Sequence, residues 1–564
     1  MVNLKEKPFY LSDDDVMWVE NTISEMTLHE KIGQLFIMLN EDRSPDYVKH
    51  MISTYHVGGS RYSPGKAHEI YELNKLMQET SKIPLLIAAN CDSGGNGACL
   101  DGTLIATGAQ TAATDSVRVA EQVGFVSGVE ASAIGCNWNF GPTVDILFNW
   151  RNTIVNTRAY GRNTDRIIAL ARGYINGLSK SGMASCIKHF PGDGVEERDQ
   201  HLVMGVNDLS CEQWDKSFGM VYKTLIDDGI MSIMAGHIAL PSYSKMLIPH
   251  ISDEDIMPAT LAQELITGLL RNKLGFNGLV LTDASHMLGL TASMPRHLQL
   301  PCSIAAGCDM FLFFNDPEED FSFMLDGYKS GIITEERLRD ALYRILGMKA
   351  ALKLHKKKSD GTLIPNPGGL EVIGCSEHLK LADDAADLSI TLVKNTKDQL
   401  PITPQTHKRI KLYYLKGDMG GIHCTTNEAE QIVIEELERA GFEVSLNDGS
   451  LRTKGKINEY KAQYDAAFVF ANITGYASEN TMRIKWSVPM SNEVPWYSAE
   501  IPTVFVSLNF TTHLHDVPMV KTFINAYAPS RTIIRRTIEK IMGKSKFNGV
   551  YDENVWCGKW STRL

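Results

Sequence analysis

Between Gly33 and Phe314 the chain alternates strand-like and helix-like segments, with eight strand-like runs, most of them apolar and closing on a polar, charged or glycine-bearing turn. The runs are Gly33–Met38, Val57–Tyr62, Leu85–Asn90, Cys136–Phe140, Ala184–His189, Met231–His237, Gly278–Asp283 and Asp309–Phe314. Amphipathic stretches lie between them, at Ala67–Lys82, Ser116–Ile134, Asp165–Ser181, Cys211–Asp228 and Pro258–Leu274. A near-continuous apolar run bounded by turn residues reads as a strand buried on both faces. Eight such strands with helices between them fit an α/β fold, a (β/α)8 barrel, better than an open doubly wound sheet. The pair Thr27-x-x-Glu30 has the form of a capping box and predicts a helix opening just before the first run.

A chain of 564 residues exceeds one ordinary core. After the helical run Glu335–Leu354 comes a polar, Pro- and Gly-bearing stretch, which predicts a catalytic barrel over residues 1–355, a linker over 356–375 and a smaller α/β sandwich over 376–564. In that second part Ala382–Lys394 reads as a helix passing into an apolar strand. Ile410–Leu415, Phe442–Leu446, Ala466–Ala471 and Thr503–Leu508 read as strands, and Glu428–Ala440 as a helix.

Charge and composition remove several classes of function. A formal charge of −11 without a basic stripe argues against nucleic acid as a partner. No apolar run reaches the roughly 20 residues that span a bilayer, so no membrane association is expected. The opening Met1-Val2-Asn3-Leu4-Lys5-Glu6 has no apolar core of a signal peptide. Ten cysteines are dispersed without a C-x-x-C pair, which fits free thiols in a reducing, cytoplasmic setting.

If the barrel forms, Asn90, Asp92, Arg158, Lys188, His189, His237 and Asp283 all fall at or just beyond the C-terminal ends of strands, the rim where barrel active sites lie. Asp283 closes Gly278-Leu279-Val280-Leu281-Thr282; it suits a nucleophile or base, and equally an N-cap of the next helix. Lys188-His189-Phe190-Pro191-Gly192-Asp193-Gly194, followed by Asp199-Gln200-His201, sets a carboxylate and an imidazole two residues apart on a rigid turn. A carboxylate beside a histidine favours imidazolium and makes a usable proton donor. Lys188 and His189 offer donors for substrate hydroxyls or form a core pair with a neighbouring carboxylate. Arg158 serves a site or a surface ion pair. Asn90-Cys91-Asp92-Ser93-Gly94-Gly95 lacks the G-x-G-x-x-G spacing of a dinucleotide loop and fits a polar turn facing a small ligand.

Taken together these stretches resemble the β-N-acetylglucosaminidases of glycoside hydrolase family 3. That family carries K-H-F-P-G-x-G-x4-D-x-H, matched from Lys188 through His201, and G-F-x-G-x-x-x-[ST]-D, matched from Gly275 through Asp283. Pro258-Ala259-Thr260-Leu261, Ala235-Gly236-His237-Ile238 and Asn139-Phe140-Gly141-Pro142-Thr143-Val144-Asp145 match further family segments. Ala385–Asn395 resembles the start of the second α/β domain that some members append. The chain departs where members often have D-x-E-G-G, and Asn90-Cys91-Asp92-Ser93-Gly94 stands instead.

The resemblance implies an exo-acting, retaining β-N-acetylglucosaminidase working by double displacement, with Asp283 as nucleophile, His201 as acid/base and Asp199 as its partner. It implies that Lys188, His189, Arg158 and His237, with Asn90 or Asp92, hold the sugar. The implied partner is a small carbohydrate such as a muropeptide or chitin fragment, with no cofactor and no metal. A His–Asp dyad departs from the two-carboxylate scheme common among glycosidases. Within the family a β-N-acetylglucosaminide phosphorylase, a β-glucosidase or a β-xylosidase is the alternative. A metal-dependent barrel hydrolase using His189, His201, His237 and Asp283 is the rival from another class, weakened by the lack of H-x-H on the first strand.

Overall fold

The computed structural model describes residues 2–40, 42–417, 428–449, 456–473, 477 and 480–564. Two compact units are present. The first comprises Met1–Leu104, Ala120–Ile146 and Asn163–His378; the second comprises Ile105–Val119, Leu147–Arg162 and Leu379–Leu564.

In the first unit the strands are β1 Phe36–Asn40, β2 Gly59–Tyr62, β3 Leu86–Ala89, β4 Trp138–Asn139, β5 Ala184–Phe190, β6 Gly205–Val206, β7 Ser232–Ala235, β8 Ile238–Ala239, β9 Leu279–Ala284 and β10 Met310–Leu312. Eight of them close a parallel barrel in the order β1-β2-β3-β4-β5-β7-β9-β10, with β10 paired back to β1. The strands β3, β5, β7 and β10 are buried at every residue, as the continuous apolar runs require. The remaining two, β6 and β8, form a small parallel ribbon outside the barrel. Both follow a barrel strand, so the ribbon ties the loop after β5 to the loop after β7.

The chain enters β1 later than the apolar run begins. The Thr27–Glu30 capping box is formed in both directions and opens a helix, Leu28–Gly33. Gly33 ends it so closely against the next turn that an added Cβ would stand 1.9 Å from the Tyr55 carbonyl oxygen. The stretch Pro258–Leu274 differs from the single helix expected of it. It divides into a tight turn, Ala259–Leu261, and a π-helical segment, Glu264–Lys273. The turn is held from the barrel side, where the Thr260 hydroxyl meets Ala235 O, Gly236 O and the His237 ring.

At the N-terminal end of the barrel one carboxylate binds several elements. Asp309 precedes β10, accepts the Val280 N–H (2.9 Å), and lies 2.7 Å from Arg271 and 3.5 Å from Arg344, with Arg337 also in contact. Burial pushes the Asp309 carboxyl up, and the Arg271, Arg344 and Arg337 guanidiniums more than reverse this, holding it below its ordinary value.

The second unit is built on a six-stranded sheet: β11 Thr391–Asn395, β12 Arg409–Lys416, β13 Glu443–Leu446, β14 Ala466–Asn472, β15 Thr503–Ser507 and β16 Thr522–Asn525. Its order is β11-β16-β15-β14-β12-β13, parallel except for the antiparallel edge strand β11. One core gathers Tyr413, Val469, Tyr497, Phe505 and Phe523, with the Tyr413 and Tyr497 rings stacked at 4.4 Å. Helices Glu428–Arg439 and Arg531–Ile541 pack together. The segment Leu147–Arg162 is pinned within this unit: Asn156 Oδ1 accepts the Thr511 N–H (3.0 Å), and the Arg162 N–H donates to Asp552 (3.1 Å).

Candidate active site

The barrel rim gathers its polar side chains through β5. A regular strand would send Lys188 and His189 to opposite faces. Here the register with β7 slips between Ile187 and Phe190, while Lys188 bridges to Thr143 on the other side. Such a bulge re-aims side chains at a strand end. Both residues are consequently buried beside rim carboxylates. Lys188 Nζ lies 3.3 Å from Asp92 Oδ2 and also donates to Phe140 O. His189 Nδ1 lies 2.7 Å from Asp145 Oδ2, and its Nε2 is 3.9 Å from Asp283 Oδ2.

Asp145, which closes the segment Asn139–Asp145, organises this part of the rim. Fully buried, it takes the His189 ring and, through Oδ1, the backbone N–H groups of His189 (3.1 Å) and Asp193 (2.8 Å). It therefore shapes the turn after β5 and leaves Nε2 as the His189 atom that faces Asp283. The available signal was a lone carboxylate closing Gly141-Pro142-Thr143-Val144, followed by more apolar residues.

Asp283 is the penultimate residue of β9. The next helix, Leu288–Thr291, begins after Met287, so Asp283 does not cap it. Its Oδ1 accepts the Ala284 N–H at 2.7 Å. Burial alone would push this carboxyl up; the imidazoles of His189, His237 and His201, with the Ala284 N–H, bring it down to about 2. It is a carboxylate at any physiological pH, poorly solvated and without a direct cationic hydrogen bond.

His201 stands on the loop between β5 and β6. Asp199 Oδ1 accepts from its backbone N–H (2.9 Å) and sits 2.6 Å from Nδ1, so the carboxylate holds the Nδ1 side of the ring. The β9 loop meets this loop directly: the Leu288 N–H donates to His201 O (3.0 Å) and the Gly289 N–H to Gln200 O (3.2 Å).

His237 follows β7, with no exposed surface. Its Nδ1 lies 2.9 Å from Thr260 Oγ1 and its Nε2 2.9 Å from Ala284 O. Burial lowers its pKa, favouring the neutral ring. Both nitrogens are spent on protein, so no atom is left for the sugar hydroxyl that the resemblance assigned to it. Asp92 Oδ2 is paired with Lys188, and the buried Asn90 side-chain oxygen makes no hydrogen bond among the described residues. Arg158 belongs to the second unit, on a turn where its N–H donates to Val155 O at 3.1 Å.

Fold and rim together define a (β/α)8-barrel enzyme. Residues 27–348 match the Glycosyl hydrolase family 3 N terminal domain, and the chain belongs to glycosyl hydrolase family 3. It is 39% identical over 569 residues to a β-N-acetylglucosaminidase/β-glucosidase of Cellulomonas fimi, covering 100% of both chains. A β-hexosaminidase of Chromobacterium violaceum is 30% identical over 274 residues, 47% of this chain and 73% of that protein. Among solved structures, the β-glucoside phosphorylase BglX bound to 2FGlc superposes with a TM-score of 0.92 at 41% identity, covering 97% of this chain and 98% of that one. The family 3 β-N-acetylglucosaminidase of Paenibacillus sp. str. FPU-7 shares the fold, at 22% identity and a TM-score of 0.79 over 93% and 98% of the two chains. The protein is thus a glycoside-cleaving enzyme. Among the described residues no helix is long and apolar enough to cross a membrane.

Proposed function

We propose that this enzyme removes a terminal β-linked N-acetylglucosamine or glucose by double displacement, with Asp283 forming the glycosyl-enzyme and His201 moving the proton. One observation carries the reading: a partly buried carboxylate, its side chain 13% exposed and held down to about 2, lies at the strand end that adjoins the loop of a carboxylate-backed histidine. A nucleophile must be ionised before attack, and desolvation keeps it reactive. In the first step the His201 imidazolium gives its Nε2 proton to the departing oxygen while Asp283 Oδ2 bonds to the anomeric carbon. In the second step the neutral ring takes a proton from the acceptor as the acceptor oxygen bonds to the anomeric carbon and the bond to Asp283 Oδ2 breaks, returning the carboxylate. Asp199 holds Nδ1 and stabilises the imidazolium. Lys188 and Asp92 offer a donor and an acceptor to one set of sugar hydroxyls, and His189 supports the charge of Asp283.

The second reading concerns the acceptor. After giving up its proton His201 is neutral, whereas a carboxylate acid would be an anion facing the incoming group. An imidazole therefore admits phosphate with less repulsion. The similarity to a β-glucoside phosphorylase at 41% identity favours this reading. The nine described cysteines are free, six of them buried, which suits a cytoplasmic setting.

The test compares p-nitrophenyl glycosides of N-acetylglucosamine, glucose and xylose, each with and without inorganic phosphate, identifying the product. Turnover of the first two, with sugar 1-phosphate formed only when phosphate is present, is the outcome expected of the second reading; free sugar in both buffers leaves water as acceptor. A 2-fluoro glycoside should label Asp283, and labelling elsewhere overturns the nucleophile. His201→Ala should lose about 10²- to 10⁴-fold on glycosides with poor leaving groups and far less on activated aryl glycosides. Equal losses on both remove His201 from the acid role.

A further inference from the structure

His201 stands on a loop, yet the residue beside it is among the most enclosed in the barrel. Gln200 is 1% exposed. Its Oε1 accepts the backbone N–H of His237 at 2.7 Å, and its carbonyl accepts the Gly289 N–H. A backbone N–H can only donate, so the orientation of the amide is settled: oxygen toward His237, and an Nε2 that makes no hydrogen bond. From His237 the connection continues through the ring. Nε2 reaches Ala284 O, and the N–H of that same residue holds Asp283 Oδ1. The Ala284 carbonyl can only accept, so it places the ring hydrogen on Nε2, and Thr260 Oγ1 meets the other ring nitrogen.

An unbroken line thus runs from the His201 loop through Gln200 and His237 to the strand end of Asp283. Packing along it leaves no slack. A Cβ on Gly236 would meet Gln200 Oε1 at 3.2 Å, and one on Gly289 would meet Gln200 O at 2.6 Å and His237 Cβ at 3.1 Å.

We propose that Gln200 and His237 are positioning residues that set the distance between the acid/base and the nucleophile. Gln200 governs the acid/base arm, and the His237 ring governs the nucleophile arm. The inference rests on the roles assigned above to His201 and Asp283, and divides their control between two residues that do not touch the sugar. The two arms fail differently. A loosened His201 harms only reactions that need their leaving oxygen protonated. A displaced Asp283 harms every glycoside alike.

The experiment measures kcat/KM across leaving groups, from dinitrophenyl to alkyl glycosides. Gln200→Met keeps the volume and removes the acceptor; it should lose about 10²-fold on alkyl glycosides and stay within about threefold on the dinitrophenyl substrate, since a misplacement of about 1 Å costs that much. Gln200→Glu keeps the oxygen that takes the His237 N–H and should recover most of the loss. His237→Asn retains its backbone N–H but not the reach of the ring, and should lower all substrates by a similar factor. If Gln200→Met is too unstable to assay, Gln200→Asn, one methylene short of the His237 N–H, carries the same expectation. A wild-type leaving-group dependence in the Gln200 variant, or no recovery in Gln200→Glu, overturns the proposal. The parent reading fails separately: His201→Ala would then show no leaving-group dependence, whatever Gln200 does.

Discussion

The two ends of the barrel use one ingredient in opposite ways. At each, an aspartate, fully buried at Asp309 and partly buried at Asp283, is surrounded by three basic side chains and held below its ordinary pKa. At the N-terminal end the partners of Asp309 are arginines, which stay charged and close on it with direct contacts, one at 2.7 Å. A guanidinium fork saturates a carboxylate and does not let go. At the C-terminal end the partners of Asp283 are histidines, the nearest at 3.9 Å, beyond hydrogen-bond reach. Imidazoles can gain or lose a proton near neutrality, so this carboxylate is favoured as an anion yet left open to react. Permanent, closed pairing gives a clamp; switchable, open pairing gives a site.

The largest effect expected from this contrast is at the open end. Asp283→Asn should lower turnover by at least about 10⁴-fold with the fold intact, because in the proposed double displacement every later step depends on the covalent intermediate. Aryl glycoside kinetics with a circular-dichroism spectrum check it; near-full activity would make Asp283 a clamp like its counterpart. Asp309→Ala should cost about 3–5 kcal/mol, since the guanidiniums around it lose their shared carboxylate counter-charge. Denaturant unfolding reads that loss. Its kcat/KM at low temperature should match wild type, and a collapse of activity without a stability change would mean the two ends are not separate in purpose.

The smallest effect is acid stability. The Asp283 carboxyl lies at about 2 in the folded protein against an ordinary 3.8. A depressed carboxyl stabilises the fold above its ordinary value, and that stability is lost as pH falls from 3.8 toward 2, on the order of 2 kcal/mol. Melting curves at pH 5 and pH 3 should therefore fall further for wild type than for Asp283→Asn. Identical falls would place the acid-sensitive charge elsewhere, with Asp309 the first candidate because its shift has the same sign.

Much of the first unit was legible in the chain. All eight strand-like runs hold barrel strands, most of them legible because a strand buried on both faces is apolar along its length; Gly59–Tyr62, with Ser60 and Arg61, is the exception. Boundaries moved where a cap or turn intervened, as at Gly33. The site was less legible. Lys188 and His189 could be named, but not the slipped register that turns both toward carboxylates. His237 could be named as a rim residue, while its sealed surroundings depend on Thr260 and Ala284, 23 and 47 positions away. Gln200 gave no signal at all, because an amide between two titratable residues is unremarkable until its oxygen is seen on a backbone N–H. Ile105–Val119 and Leu147–Arg162 likewise carry nothing in their composition to join them with residues beyond Leu379.

The order of residues by itself determined the barrel, its rim and the types of side chain available there, because periodicity and strand ends are local properties of a chain. Tertiary structure alone decided which carboxylate meets an arginine and which an imidazole, and at what distance. Charge states and hydrogen-bond partners depend on burial and on neighbours tens to hundreds of residues away, and no local pattern encodes those.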